Sequence, residues 1–500
     1  MLSPESPMTA SSDRQPRPRR FTTATQPSRR KQAIRELSDR LAPERDRWIA
    51  RNTYFHNEDI RYMRFLIPEG LSVLDLGCGT GQLLAALKPA RGVGIDFSSG
   101  MIDVARRNYP DLEFRVGDIE DPSVLAALDG PFDVIVLSDT IGSLDDCEGM
   151  IGNLHGLCSR DTRLVIAYYS YLWEPVLMLA EKLGLKMPQE SQNYLSAEDI
   201  AEILALADFE AIRREWRQLV PVRLFGLGPL LNCYIGTLPL IRRACLRNII
   251  VARSLDARGL GAPSTTVVIP CKNERGNIEP AVQRLPQFCD DLEILFVEGG
   301  SQDGTLGEIH RVIAAYPERD VKVIQQDQSG KGNAVRKGFS VARGEVLMIL
   351  DADLTVPPEW LPRFYLAVVE GKGEFINGTR MIYPLEKQAM RFLNYTANRV
   401  FSWLFTWLLN QRFTDTLCGT KVLSKRNYEK IAANRAYFGD FDPFGDFDLI
   451  FGATKLNLKV LEVPVRYGAR TYGETQISRF SHGWLLLRMV VLAYRKLKAF

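Results

Sequence analysis

Two tandem α/β domains, each a parallel sheet covered by helices, are predicted by three observations. Short apolar strands alternate with helical stretches from Leu71, the alternation loosens after Trp173, and it restarts at Ser264. Alternation with short connections implies βα units and parallel pairing. In each half a strand runs into a turn rich in glycine or carboxylate, the edge where open α/β sheets bind ligands. The length of 500 residues suits more than one domain, and no sequence repeat joins the halves.

The elements follow in order. Residues 1–33 hold Pro, Ser, Thr and Arg without an apolar run, which excludes a secretory signal. Such a stretch buries too little surface to order itself and reads as a disordered basic tail, with a transit peptide or an anionic-membrane tether as alternatives. Residues 34–222 form the first domain, opening with a helical stretch that ends before Pro68. Its strands include "SVLDLG", "GVGIDF", "LEFRVGD", "FDVIVLSD" and "RLVIAYYS", and its late helix "SAEDIAEILALADF" is capped by Ser196. Residues 223–262 combine a Gly/Pro-rich apolar stretch with a basic run and read as a linker. Residues 263–500 form the second domain and end in an amphipathic helix.

Composition bounds the chemistry. An apolar content of 46% and a charged content of 25% suit a globular protein, and the formal charge of +3 is silent on polyanions. Eight scattered cysteines without a CxxC, and only four histidines, argue against zinc and a disulfide framework and for reduced cytosolic thiols. The uncharged stretch Leu224–Ile241 holds three Gly, two Pro and an Asn, which would fray a helix in lipid. "FSWLFTWLLN" and the last nineteen residues suit interfacial helices or plain core helices.

In the first half Gly77, Gly79 and Gly81 follow a strand and open a helix. Glycine permits the sharp turn and the close approach of a ligand. The spacing is G-x-G-x-G, and Asp75 two residues earlier would repel a pyrophosphate and suit an ammonium group. Asp96 ends the next strand, placed to accept two ribose hydroxyls. Asp118 and Ile119 pair an acid with an apolar side chain, suited to an adenine edge and face. Together these residues resemble the class I S-adenosylmethionine-dependent methyltransferases over about residues 71–167. The resemblance implies S-adenosyl-L-methionine as cofactor, with Asp75 near its amino group, Gly77, Gly79 and Gly81 lining it, Asp96 on the ribose, and Asp118 and Ile119 at the adenine. The segment "SDTIGSLDD" lacks the pattern of amino-methylating nucleic-acid enzymes, so no nucleic-acid partner is expected. His155 could serve as a base or be structural.

In the second half the apolar strand of "GEVLMILDADL" delivers Asp351 and Asp353. Residues i and i+2 of a strand point the same way, so the pair can share one cation, and hard oxygen ligands suit Mg²⁺ or Mn²⁺. Upstream, Pro270, Asn273 and Glu274 sit at one strand mouth, Glu298 at another, and "SGKGNAVRKGF" forms a basic turn. In this order the motifs resemble family 2 glycosyltransferases of the GT-A fold, nearest to polyprenyl-phosphate sugar transferases of the dolichyl-phosphate mannosyltransferase kind, over about residues 264–476. The resemblance implies a metal-dependent inverting transfer from a nucleotide-sugar donor bound by Pro270, Asn273, Glu274, Glu298, Asp351, Asp353 and Arg470. It also implies Arg380 and Arg391 facing the phosphate of a polyprenyl-phosphate acceptor, Asp415 near the reaction centre and Asp448 at a further acidic position. Two departures stand out: Glu298-Gly299 replaces a usual Asp-Asp, and Gln476 stands where lysine is frequent, with Arg479 a possible substitute. A hydroxyl acceptor would need a base, for which Asp415 is the candidate.

The expected whole is a bifunctional enzyme, peripheral on the cytoplasmic face of a membrane, whose first half methylates a small molecule, sugar or lipid. The alternative is a glycosyltransferase acting on a glycan or protein hydroxyl, its first domain a non-catalytic binding or scaffolding module.

Overall fold

The computed structural model describes residues 28–499 except 191, 258, 329, 384–391, 440–444, 446, 469, 471 and 473–478. Two seven-stranded sheets organise the chain. The first contains β1 (Ser72–Leu76), β2 (Arg91–Asp96), β3 (Glu113–Val116), β4 (Phe132–Ser138), β5 (Cys158–Tyr169), β6 (Phe209–Arg217) and β7 (Arg247–Ser254). Their order is β3-β2-β1-β4-β5-β7-β6; β1 to β5 pair in parallel, and β7 runs antiparallel to both β5 and β6. The second contains β8 (Thr265–Cys271), β9 (Leu292–Glu298), β10 (Asp320–Gln325), β11 (Val346–Ile349), β12 (Phe375–Thr379), β13 (Lys421–Ser424) and β14 (Val460–Pro464). Its order is β10-β9-β8-β11-β13-β12-β14, with β13 antiparallel to its neighbours β11 and β12. These are a class I methyltransferase fold followed by a GT-A fold, each sheet mixed at one side where a wholly parallel one was expected.

Part of the expected linker is a central strand. β7 lies inside residues 223–262, and every one of its residues is buried. Its arginines make "RNIIVARS" look like a solvated basic run, yet each finds a distant carboxylate. Arg247 grips Asp59 through two bonds of 3.0 and 3.1 Å and also binds Asp139, and Arg253 bonds Glu210 at 2.8 Å. Buried charge is tolerable only when paired in this way. The tail boundary also moves. A helix spans Arg29–Leu41, and the Ser28 side chain caps it by accepting from the Lys31 amide.

The halves pack against each other. One apolar core runs from Met63, Val165 and Val251 of the first to Phe339, Leu423 and Phe447 of the second. Arg163 on β5 donates to both oxygens of Glu374 at 2.8 Å, and Lys498 bonds both oxygens of Glu215 at 2.9 and 3.0 Å; all four side chains are buried.

Candidate active sites

The first site lies at the carboxyl ends of β1, β2 and β4, around a cavity of about 230 Å³. Asp75 sits on β1 between Gly94 of β2 and Val136 of β4. It is fully buried and its Oδ1 has no hydrogen-bond partner. Burial, and then the neighbouring Asp96, push its carboxyl up to about 7. A buried acceptor left unpaired is costly, and a cationic ligand would relieve it. Gly77 has a φ of +80°, and a Cβ there would overlap Thr140. Gly79 has open space where its Cβ would be, and its amide donates to Asp96 Oδ2 at 2.9 Å while the Ser98 amide takes Oδ1 at 2.9 Å. Asp96 is thereby oriented by two backbone donors, with lone pairs remaining for hydroxyls.

Asp75, Gly77, Gly79, Asp96, Asp118 and Ile119 all line this cavity. Gly81 does not; its left-handed backbone ends the turn, and an added Cβ would sit 2.7 Å from the Phe114 ring, so its role is packing. This donor set, an orphaned carboxylate beside an open glycine turn and an oriented second carboxylate, fits an aminoacyl sulfonium nucleoside. His155 is structural. Its ring nitrogens bond Ser254 Oγ at 2.7 Å and the Ala207 carbonyl at 2.8 Å, and it stacks on Phe209.

Sequence reasoning missed the lid. Helix Arg29–Leu41 brings Lys31, Ile34 and Leu37 to the cavity, and Lys31 donates to Asp118 at 2.6 Å and to Glu120. The signal available was the capping serine at 28. His56 and Asp59, from helix Thr53–Leu66, complete the far wall. Burial, and then Arg45, lower the His56 imidazole to about 4.

The second site gathers at the carboxyl ends of β8, β9 and β11. β11 ends at Ile349, so Asp351 and Asp353 lie in the turn beyond it and not on the strand face expected for them. Each carboxylate there is held by its own cation. Asp351 Oδ1 is 2.6 Å from Lys331 Nζ, and Asp353 Oδ2 accepts from Arg470 Nη2 at 2.6 Å while its Oδ1 holds Thr355 Oγ1 at 2.8 Å. Burial raises the Asp351 carboxyl, but Lys331, then Lys421 and Arg380, outweigh it and hold the group below its usual range. Gly419 is required beside it, because a Cβ there would overlap the Asp351 carboxylate. Lys331 belongs to the basic stretch expected as a turn, which the structure instead folds into a helix, Lys331–Val341, with Lys331 its first residue; Gly419 carried no local signal.

Glu274 accepts from Asn277 at 2.6 Å and lies 3.9 Å from Arg470, which links it to Asp353. Glu298, the last residue of β9, is buried and accepts from the Ser301 amide at 2.5 Å. Pro270 is within β8, opposite Val297. Asn273 ties two loops together, its Oδ1 accepting from the Gln302 amide and its own amide donating to Ser301 Oγ, both at 2.9 Å. It therefore holds the loop after β8 to the loop after β9.

Asp415 is fully buried and clasped by Arg380. Nε donates to Oδ2 at 2.6 Å, Nη2 to Oδ1 at 2.8 Å, and the Arg380 and Leu417 amides add bonds of 3.1 Å. Although burial raises it, Arg380 holds this carboxyl below its usual range. A general base needs a free face toward its proton; Asp415 instead orients Arg380, whose guanidinium also covers the Tyr467 ring at 5.0 Å. Asp448 pairs with Arg435 at 3.1 Å. Arg391 and Gln476 fall outside the described residues, as does the side chain of Arg479.

Among the described residues no group of three or more His, Cys, Asp or Glu side chains could cage a metal. Asp351 and Asp353 are the hard oxygen donors that a divalent ion would take, together with phosphate oxygens and water, once Lys331 and Arg470 release them.

Comparison with known proteins finds a family match for each half. The family model for glycosyl transferase family 2 matches residues 266–427, and a methyltransferase-domain model matches residues 29–214, beginning where the lid helix begins. The dolichol-phosphate mannosyltransferase of Saccharomyces cerevisiae is 35% identical over 233 residues, 43% of this chain and 80% of that one. The enzyme of that name from Pyrococcus furiosus is 30% identical over 217 residues, 42% of this chain and 58% of that one. A solved methyltransferase of Thermotoga maritima, described as a possible histamine N-methyltransferase, is 17% identical with a TM-score of 0.35, covering 44% of this chain and 99% of that one, too weak a likeness to carry an argument.

Proposed function

Because the chain belongs to glycosyl transferase family 2 and carries a methyltransferase domain ahead of it, we propose a bifunctional enzyme that transfers a sugar from a nucleotide donor to a polyprenyl phosphate and methylates a small molecule, sugar or lipid. Glu274 and Glu298 take the nucleoside side of the donor. Mg²⁺ or Mn²⁺ held by Asp351 and Asp353 would offset charge gathering on the diphosphate leaving group. Lys331 and Arg470, which neutralise those carboxylates, are within reach of the same phosphates and turn to them when the donor binds. The anomeric carbon is then attacked from the face opposite the departing diphosphate, inverting the centre.

The observation that carries the acceptor class is the Arg380–Asp415 pair. A phosphate is already ionised and needs a guanidinium to hold it, whereas a sugar hydroxyl needs a base to take its proton. The carboxylate expected as that base is buried and bonded on both oxygens. Arg380, fixed by it, holds the acceptor phosphate, with Arg391 the second cation. Such an acceptor lies in a bilayer, so the proposed site of action is a membrane surface, on its cytoplasmic face. In the first half Asp75 meets the cofactor ammonium, Asp96 the ribose, and Asp118 and Ile119 the adenine.

Mass spectrometry after incubation with a panel of nucleotide sugars tests the reading. Glycosylated undecaprenyl phosphate is the expected product, and transfer only to soluble glycans would overturn it. Calorimetry with S-adenosylmethionine tests the first half, where no heat would leave the domain a scaffold.

A further inference from the structure

The excursion between β6 and β7, Val222–Ala244, belongs to neither sheet, and its apolar side chains face outward. Phe225 is fully exposed and Leu240 is 90% exposed. Leu227, Leu230, Tyr234 and Leu238 are exposed at one-turn spacing. Monomeric proteins rarely leave such a patch bare.

Two helices of the glycosyltransferase half carry matching stripes. Helix Phe392–Leu409 exposes Val400 and Trp403, and the next residue on that face is Trp407. Helix Arg479–Leu497 exposes Trp484, Leu487 and Val491, and the next on that face is Tyr494. The three stripes meet at one point. Tyr494 packs with Trp407 at 5.7 Å and with Tyr234 at 6.5 Å between ring centroids. Trp407 Nε1 donates to the Thr237 carbonyl at 2.9 Å, and the Tyr494 hydroxyl donates to the Cys233 carbonyl at 3.2 Å. The apolar surface is therefore continuous across both domains.

The three segments that form it carry charges of one sign. No Asp or Glu occurs between Glu215 and Asp256, within 392–409 or within 479–497. Among the described side chains of these segments the exposed charges are Arg223, Arg243, Arg399, Arg488 and Arg495. Glu58 of helix Thr53–Leu66 reaches this face beside Cys233, but it is mostly covered and paired with Arg61. An apolar surface whose exposed charges are mainly cationic complements an anionic bilayer. Among the described residues no helix is long and apolar enough to cross a membrane. The opposite side of helix Phe392–Leu409 reaches the glycosyl site, where Asn398 donates to Asp415 at 3.4 Å.

We propose that Val222–Ala244 and these two helix faces form one docking surface for an anionic lipid bilayer, so that the methyltransferase domain itself is seated on the membrane beside the lipid acceptor site. The inference deepens the polyprenyl-phosphate reading, but its test is independent of transfer. Full-length protein is sedimented with phosphatidylcholine vesicles with and without phosphatidylglycerol, free of polyprenyl phosphate. Phe225→Ser with Leu240→Ser removes two side chains that pack on nothing and leaves the charge unchanged. Binding to the anionic vesicles, reduced by salt and weakened roughly tenfold or more in the double variant, is expected. Equal binding by the double variant, no preference for anionic vesicles, or a dimer in solution that the double substitution converts to monomer without either form binding vesicles, would overturn it. A wild type that binds vesicles but transfers no sugar to polyprenyl phosphate would sink the acceptor assignment and leave the docking surface standing.

Discussion

Asp75→Asn separates a cofactor contact from a structural residue, because the two roles predict opposite signs. The folded protein holds this carboxyl at about 7 against an ordinary 3.8, chiefly through burial. The raised value means the folded state binds the proton more tightly than the unfolded chain. The stability it contributes is complete below about pH 4 and is lost as pH rises to about 7. At about 1.4 kcal/mol per pH unit, keeping the carboxylate ionised above pH 7 costs the empty protein about 4 kcal/mol. The neutral amide escapes that cost, so the empty variant should melt several degrees above wild type at pH 8 and match it near pH 4. Cofactor binding should move the other way. A charge-assisted bond to the ammonium is worth about 1.5–3 kcal/mol, so affinity falls roughly ten- to a hundredfold in the variant. Wild-type affinity should also weaken about tenfold per pH unit below 7, where binding must first expel the proton, while the variant stays flat. Calorimetry with S-adenosylmethionine from pH 5 to 8, alongside thermal melts, reads both. A variant that loses stability at pH 8 yet binds cofactor normally would refute the assignment.

Three further outcomes follow from buried contacts. Asp415→Asn strands the Arg380 guanidinium and should cost about 3–5 kcal/mol in chemical denaturation; adding Arg380→Met should restore much of that stability without restoring transfer, whereas a catalytic base would lose turnover with the fold intact. Gly419→Ala forces the Asp351 carboxylate aside and should weaken Mn²⁺ dependence of transfer about tenfold, roughly 1.4 kcal/mol, with an unchanged melting temperature; an unchanged metal titration would show that Asp351 does not hold the ion. Glu374→Gln removes the charge from the buried partner of Arg163 at the domain interface, at about 3 kcal/mol, and calorimetric melting should split into two transitions; one undivided transition would show that the apolar core alone couples the halves.

The sequence spoke clearly where the signal was local. The βα alternation, the glycine turn after Asp75 and the position of Asp96 are each written within a few residues, and the structure brings six of the seven expected residues of that site, all but Gly81, around one cavity. What stayed hidden depended on partners far along the chain. β7 reads as a basic run because nothing nearby reveals that Arg247 answers Asp59 and Asp139, or Arg253 Glu210. Asp415 looks like an available carboxylate until Arg380, 35 residues earlier, is seen to occupy it. The lid helix was masked by the basic tail before it, since Lys31 gains its purpose only against Asp118 and Glu120. Strand length misled differently: the apolar run through Leu350 continues beyond the last paired residue, Ile349, so the acidic pair lies in the turn after the strand.

The account rests most heavily on the acidic turn after β11. Mn²⁺ titration of sugar transfer to undecaprenyl phosphate, comparing wild type with Asp351→Asn combined with Asp353→Asn, tests it directly. Transfer by wild type should require the ion and vanish on chelation, and the double variant should lose transfer at every Mn²⁺ concentration while keeping its melting temperature. Transfer by the double variant at the wild-type rate, or by wild type in the presence of chelator, would contradict it.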